Sequence, residues 1–276
     1  MPYSLSAMTT SDGLSLAIHA WVPQDAKAAV LIVHGIGEHA FRYDHVARRL
    51  EAEGYAVYAP DHRGHGRSEG TRTYFETFQQ PVADLRMLHG MVEKAHRGAR
   101  IFMYGHSMGS GISLLYALEY QPDLAGLIVS GTVTNVEDGQ PPWLLAAGRL
   151  AGAILPKARL VPPIPSSELS TDAAECARYD SDPLVSHEQL RLGMAAGIIR
   201  MGREIRQRAR MITLPIMFLH GEADKITPVS GSTTMFGLVS SPDKTLHTYP
   251  GKRHELVNET NRDEVIQTIV DWLNKH

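Results

Sequence analysis

Residues 105–109 read Gly-His-Ser-Met-Gly, so Ser107 stands two positions from a glycine on either side. The run before it is apolar, and the run after it, 110–122, has helical spacing and closes on a proline. The pentad therefore falls where a strand hands over to a helix, the setting the G-x-S-x-G pattern requires. So tight a turn strains its central residue, and glycines at 105 and 109 remove side chains that would collide there. A serine in that place can cap the helix. It can also attack a carbonyl, with the helix N-terminus aiming its free N–H groups at the charge that develops.

A serine hydroxyl is a weak nucleophile until a base takes its proton and a third group holds the base. Behind a G-x-S-x-G turn the partners follow in the order Ser, Asp or Glu, His, each just past a strand's C-terminal end. Of the 14 histidines, position selects His254, between the last strand pattern and the last helix pattern. Asp224 follows the apolar run 214–219 in a glycine-containing turn, with Glu222 as the nearest competitor and a turn or cap role as the plain alternative. Acyl transfer also needs donors for the oxyanion, each worth about 10²–10³ in rate. The N–H of Met108 is one. The other is expected from His-Gly-Ile-Gly-Glu-His (34–39), where Gly35 and Gly37 allow close approach and the N–H of Ile36 is the candidate.

The elements that must carry these residues alternate over the first half of the chain. Strand patterns at 14–23, 28–35, 55–68 (running into a glycine-rich loop), 99–105 and 124–131 are separated by helix patterns at 42–54, 81–98 and 110–122. Near-continuous apolar strands in this alternation predict a mostly parallel sheet covered by helices on both faces. The pattern breaks at about 135–208, which is rich in prolines, short apolar helices and arginines. It resumes with a buried strand in the segment 214–228, another at 244–251 and a closing amphipathic helix at 263–273. The organisation expected is a core in two parts, 1–134 and 209–276, interrupted by a helical insertion over 135–208.

Composition narrows the function. The chain has 276 residues with 27 basic against 30 acidic side chains, net −3, so no bulk field points to nucleic acid. Its one cysteine, Cys176, forms no internal disulfide and reads as inert. No Cys/His spacing suggests a metal, and His62 and His65 do not share a ligand face. His34 and the 61–68 loop read as structural. The N-terminus has no signal pattern, and the apolar stretch 143–155, interrupted by Arg149, is short of the roughly 20 residues that span a bilayer. A soluble, cytoplasmic protein is expected, with loose peripheral association with a membrane or an envelope location as the alternatives. The arginines over 191–210 read as a solvated face where insertion meets core.

The segments 34–50, 61–70, 105–110, 179–184, 220–228 and 249–255 occur in an order that resembles the monoacylglycerol lipase family of serine α/β-hydrolases, a likeness that spans nearly the whole chain. The resemblance places the family's triad on Ser107, Asp224 and His254 and its oxyanion donors on Ile36 and Met108. It implies an α/β-hydrolase fold with a helical cap over an apolar tunnel for one acyl chain. It also implies a polar end near the leaving alcohol, for which Glu38, Arg42 and Tyr179 are candidates; each also suits a structural ion pair or hydrogen bond. The reaction implied is hydrolysis of a monoacylglycerol or similar small acyl ester, with no metal or organic cofactor. A lysophospholipase, short-chain esterase or thioesterase would use the same triad, and a non-catalytic protein on the same fold would lose part of it. The helix at 143–155 is open to two readings, buried against the core or touching a lipid interface.

Overall fold

The computed structural model describes residues 3–276. In chain order the strands and helices are β1 (Ser4–Thr9), β2 (Ser15–Trp21), β3 (Ala28–Val33), α1 (Asp44–Ala52), β4 (Tyr55–Pro60), α2 (Gln79–Ala95), β5 (Arg100–His106), α3 (Met108–Tyr120), β6 (Gly126–Ser130), α4 (Pro142–Ile154), β7 (Arg159–Val161), α5 (Ser166–Leu169), α6 (Ala173–Ser181), β8 (Leu190–Arg191), α7 (Leu192–Arg208), β9 (Ile216–Gly221), α8 (Ser230–Leu238), β10 (Lys244–Tyr249) and α9 (Arg262–Lys275). Among the described residues they build an eight-stranded sheet in the order β1-β2-β4-β3-β5-β6-β9-β10. β2 runs antiparallel to both neighbours, and every pairing from β4 to β10 is parallel. The fold is that of an α/β-hydrolase.

The apolar runs become central strands because both of their faces are covered. β3, β6 and β9 are buried throughout, and β5 is buried from its second residue. One face packs on α2, α3 and α7 through residues such as Leu85, Leu115 and Ile205. The other packs on α1 and α9 through Val46, Leu50, Ile269 and Leu273. Register then sets where the chemistry falls. Val33 pairs with Gly105, His106 with Ser130, and Ser130 with Leu219. The turns after β3, β5, β6 and β9 therefore open side by side at one edge of the sheet, as expected for a site at the carboxyl ends of parallel strands.

Between β6 and β9 the chain leaves the sheet. This stretch holds α4 to α7 and a two-stranded ribbon of β7 with β8, which strand-length patterns are too long to detect. α7 ties it to the core: Met201 and Ile205 belong to the main core cluster and Arg208 pairs with Glu119, while Arg203 and Arg206 pair with Glu137 within the stretch itself. Arg203, Arg206 and Arg208 are thus partly buried ion-pair partners, whereas Arg200 and Arg210 are exposed as a solvated face requires. α4 differs. Gly152 is its buried residue among those described, while Trp143, Leu150 and Ile154 are 71%, 63% and 67% exposed. Of the two readings of 143–155, burial against the core does not occur. No helix among the described residues is long and apolar enough to cross a membrane.

Candidate active site

Ser107 is the elbow its flanking glycines anticipate. It lies between β5 and α3 at φ 53° and ψ −123°, and among the described residues Thr73 is the other non-glycine at positive φ. Such a conformation costs about 1–3 kcal/mol and persists where its surroundings over-determine it. The surroundings do so here. A Cβ on Gly105 would lie 2.4 Å from Ser113 Oγ, and one on Gly109 would lie 2.0 Å from the Val33 carbonyl. Ser107 donates its N–H to Ser130, and its carbonyl accepts from Ser110 N–H and Oγ. α3 begins at Met108, so the N–H groups of Met108 and Gly109 at its start have no acceptor within the helix.

The loop after β3 meets the serine from above. A Cβ on Gly35 would sit 3.2 Å from Ser107 Cβ, and Gly37 takes φ 78°, so both glycines are required by space or by conformation. Ile36, between them, lines an apolar cavity together with Ser107 and Met108. Two buried groups hold this loop. Glu38 accepts the Gly35 N–H at 2.6 Å. His34 donates from Nδ1 to the Gly35 carbonyl and accepts the His62 N–H at Nε2, which fixes its tautomer. That is the structural use found for His34 and the 61–68 loop.

Asp224 and His254 are brought together, as their positions past β9 and β10 suggest. His254 Nδ1 donates to Asp224 Oδ2 at 2.7 Å, so the proton sits on Nδ1 and the Nε2 lone pair remains to act as base. Nε2 is buried with no hydrogen-bond partner among the described residues, and His254 lines the same cavity of about 10 Å³ as Ser107. Asp224 is held by more than His254. Its Oδ1 accepts from the N–H groups of Ile226 and Thr227, and its Oδ2 accepts from Thr227 Oγ1. Burial alone would raise this carboxyl, but the charge and hydrogen bonds of His254 and the contact with His220 outweigh it and hold it well below the usual range. Burial likewise disfavours charge on His254, and Asp224 more than offsets that, raising the imidazole above its ordinary value. Glu222, the other acid considered, accepts from Thr248 Oγ1 at an exposed position and takes no part.

The candidates for the polar end form one buried cluster. Arg42 donates to both oxygens of Glu255 at 2.6 Å and to Glu38 at 2.8 Å. Tyr43 donates to Glu38, and Asn258 to Glu255. The Arg42 guanidinium lies 4.8 Å over the Tyr179 ring. Burial raises Glu38, whereas at Glu255 the two-pronged Arg42 contact outweighs burial and lowers it. Glu38, Tyr179 and Glu255 line the small cavity with Ser107 and His254. A charged hollow of about 420 Å³ shares Arg42 and Tyr179 without including Ser107 or His254 in its lining.

Sequence reasoning did not single out Glu255, Asn258, His106 or His220. Glu255 directly follows His254, so adjacency was a signal, but its partner Arg42 lies 213 residues away. His106 precedes the serine, is buried, and packs its ring 4.7 Å from that of His254; burial lowers it to about 3. Cys176 is partly buried, with its thiol donating to the carbonyls of Ser166 and Ser170, and burial raises its pKa. No cluster of side chains suited to a metal occurs among the described residues.

Ser107 thus stands between two unlike spaces. On one side lies the apolar cavity of about 240 Å³ walled by Val133, Val136, Ile164, Leu190, Ile198 and Ile199; on the other lies the charged cluster. Comparison with known proteins gives the family of the chain. The family model described as "Serine aminopeptidase, S33" matches residues 24–261. The monoacylglycerol lipase of Mycolicibacterium smegmatis is 37% identical over 96% of this chain and 94% of its own. The monoglyceride lipase of Rattus norvegicus is 33% identical over 99% of this chain and 91% of its own. The solved structure of a soluble variant of monoglyceride lipase from Saccharomyces cerevisiae, in complex with a substrate analog, superposes with a TM-score of 0.87 at 25% identity, covering 100% of this chain and 95% of that one.

Proposed function

Because the chain belongs to the serine aminopeptidase S33 family of hydrolases, alongside the monoacylglycerol lipases, we propose that it cleaves monoacylglycerols to fatty acid and glycerol through an acyl-enzyme on Ser107. The observation that carries this reading is the serine's place between a one-sided apolar cavity and a buried charged cluster. An ester with one acyl chain and a small polar alcohol fits that division. A second long chain has no apolar counterpart on the charged side, where it would strip buried charges of their partners.

In the reaction His254 Nε2 takes the Ser107 proton as Oγ attacks the ester carbonyl, and Asp224 stabilises the imidazolium that forms. The N–H groups of Ile36 and Met108 receive the oxyanion. His254 then protonates the departing glycerol oxygen, and water repeats the sequence to free the fatty acid. Glu38 and Tyr179 face the leaving alcohol, with Arg42 and Glu255 keeping Glu38 in place. Residues 135–208 act as a cap over the acyl cavity, and the exposed face of α4 rests transiently on lipid. That face is apolar, is bordered by exposed Arg149 and Lys157, and belongs to the same insertion that supplies Val161, Ile164 and Ile198 to the cavity wall.

The test is fatty-acid release from p-nitrophenyl esters, mono-, di- and triacylglycerols and lysophospholipids, with wild type and Ser107→Ala side by side. Monoacylglycerols should lead, and the variant should lose roughly 10⁴-fold or more in kcat. Lysophospholipids or short esters in first place would overturn the substrate, and an active Ser107→Ala would overturn the mechanism.

A further inference from the structure

The acid of the proposed triad is itself held from behind. His220, in β9, is fully buried, and both of its ring nitrogens have partners. Nε2 lies 2.7 Å from the Thr227 carbonyl oxygen, which can only accept, so Nε2 carries a proton. Nδ1 lies 2.7 Å from Ser232 Oγ in α8, and that hydroxyl lies 2.8 Å from Thr132 Oγ1, just past β6. With one proton on the ring, the chain runs in a single direction: Thr132 donates to Ser232, Ser232 to His220 Nδ1, and His220 Nε2 to Thr227. Nε2 also lies 3.3 Å from Asp224 Oδ2, the oxygen that accepts from His254.

Thr227 is the link. Its N–H and its Oγ1 both donate to Asp224, while its carbonyl is tied to His220. Fixing that carbonyl therefore fixes the donors that aim the carboxylate. The far end of the chain reaches Thr132, next to Gly131, whose Cα faces the His254 ring so closely that a Cβ there would lie 3.0 Å from Cε1. The same hydrogen-bond chain thus joins the turns on both sides of His254.

We propose that His220 is a positioning residue for the Asp224–His254 pair, pinning the 224–227 turn through the Thr227 carbonyl and holding its ring 3.3 Å from the Asp224 oxygen that His254 uses. The inference rests on the triad reading above. The outer partners that orient metal-ligating histidines typically contribute about 10–100-fold to activity, and we take the lower end of that range for a carboxylate held in the same way. The groups facing His254 are Asp224, Glu255, Glu38 and His106, and those facing Asp224 are His254 and His220. His220 is the one in this set that touches Asp224 without touching the reacting atoms.

The experiment uses the full chain and a soluble p-nitrophenyl ester, with active serines titrated by a fluorophosphonate. His220→Leu, His220→Gln and Ser232→Ala are compared with wild type across pH. His220→Leu should lower kcat per titrated serine about tenfold with little change in KM, and should move the acid limb of the profile to lower pH, because His254 loses a fixed carboxylate beside it. His220→Gln, which keeps an N–H at the tip, should recover most of both, and Ser232→Ala should shift both less and in the same direction. A wild-type kcat and profile in His220→Leu, or a glutamine variant no better than leucine, overturns the proposal. If the leucine variant does not fold, an unchanged Ser232→Ala profile overturns it instead. An inactive wild type, or an active Ser107→Ala run in parallel, overturns the triad reading rather than the role of His220 within it.

Discussion

The turns at the carboxyl edge of the sheet and the inserted helix α4 place their side chains in opposite ways. The turns bury charge: Glu38, Arg42 and Glu255 lie within the protein with their hydrogen bonds made internally. α4 exposes apolar surface: Trp143, Leu150 and Ile154 face outward. Both run against the ordinary partition of polar and apolar groups. A buried ion cluster gives back little net stability for its desolvation cost, but it admits few alternative geometries. An exposed apolar helix costs stability outright and leaves a surface free to meet something else. The first arrangement fixes one geometry beside Ser107 and His254, and the second leaves a surface open.

The largest way to break this contrast is at Arg42. Arg42→Met leaves Glu38 and Glu255 buried without their counter-ion, and breaking a buried pair in this manner costs about 3–5 kcal/mol. Urea denaturation should show that loss in the midpoint with an unchanged slope. Tyr43→Phe, which removes one neutral donor to Glu38, should cost about 1 kcal/mol. A loss below about 1 kcal/mol for Arg42→Met would mean the cluster is not a fixed unit, and the contrast with α4 would collapse.

Acid comes next. Burial is the leading cause that lowers His34, His62, His65 and His106, His62 and His106 to about 3 and His65 to about 4. The unfolded chain binds protons on these groups near pH 6.5 and the folded chain does not, so stability is intact above that pH and falls below it. The slope is about 1.4 kcal/mol per pH unit for each histidine. His254 acts in reverse: its raised value contributes stability below its unfolded value and loses it as pH rises through the folded one. Asp224, lowered in the fold, loses its contribution only under stronger acid, below the usual carboxylate range. The net expectation is a urea midpoint that falls steadily from pH 7 to 5. The acid limb of kcat/KM should lie above the ordinary histidine value. A midpoint flat from pH 8 to 5 would show these rings taking up protons without cost, which full burial forbids.

Residues under steric necessity could be read from the chain; those chosen by distant partners could not. Gly105 and Gly109 announce the turn at Ser107 because any side chain there meets backbone or Ser113. Asp224 and His254 are visible because a parallel sheet delivers their turns to one edge. Glu255 and His220 are not, since the first takes its meaning from Arg42 and the second from Ser232 and Thr227, all set by folding. β1 went unread because it is mostly exposed and lacks an apolar face. α8 went unread because Ser230–Leu238 is rich in serine, threonine and glycine, poor helix formers held by packing on β9 and β10. At α4 an apolar, helical sequence suits a core and a lipid surface equally. Period alone does not distinguish them.

The smallest effect on stability should come from that helix, and it sharpens the contrast most. Leu150 and Ile154 are largely exposed and do not line the apolar cavity. Replacing both with serine should lower the unfolding free energy by no more than about 1 kcal/mol, about 0.5 for each surface position, and hydrolysis of a soluble short ester should stay at the wild-type rate. Binding to lipid should change. Burying an aliphatic side chain of this size contributes about 1.5–3 kcal/mol, so two half-inserted side chains account for about 2 kcal/mol, or more than tenfold in vesicle affinity. Cosedimentation with zwitterionic vesicles containing monoacylglycerol reads this directly, and fatty-acid release from the same vesicles should fall in proportion at low lipid. Equal binding by the double variant would mean that α4 does not face the membrane. A stability loss above about 2 kcal/mol would mean that it is covered in solution, and in either case the exposed helix would need an occupant other than lipid.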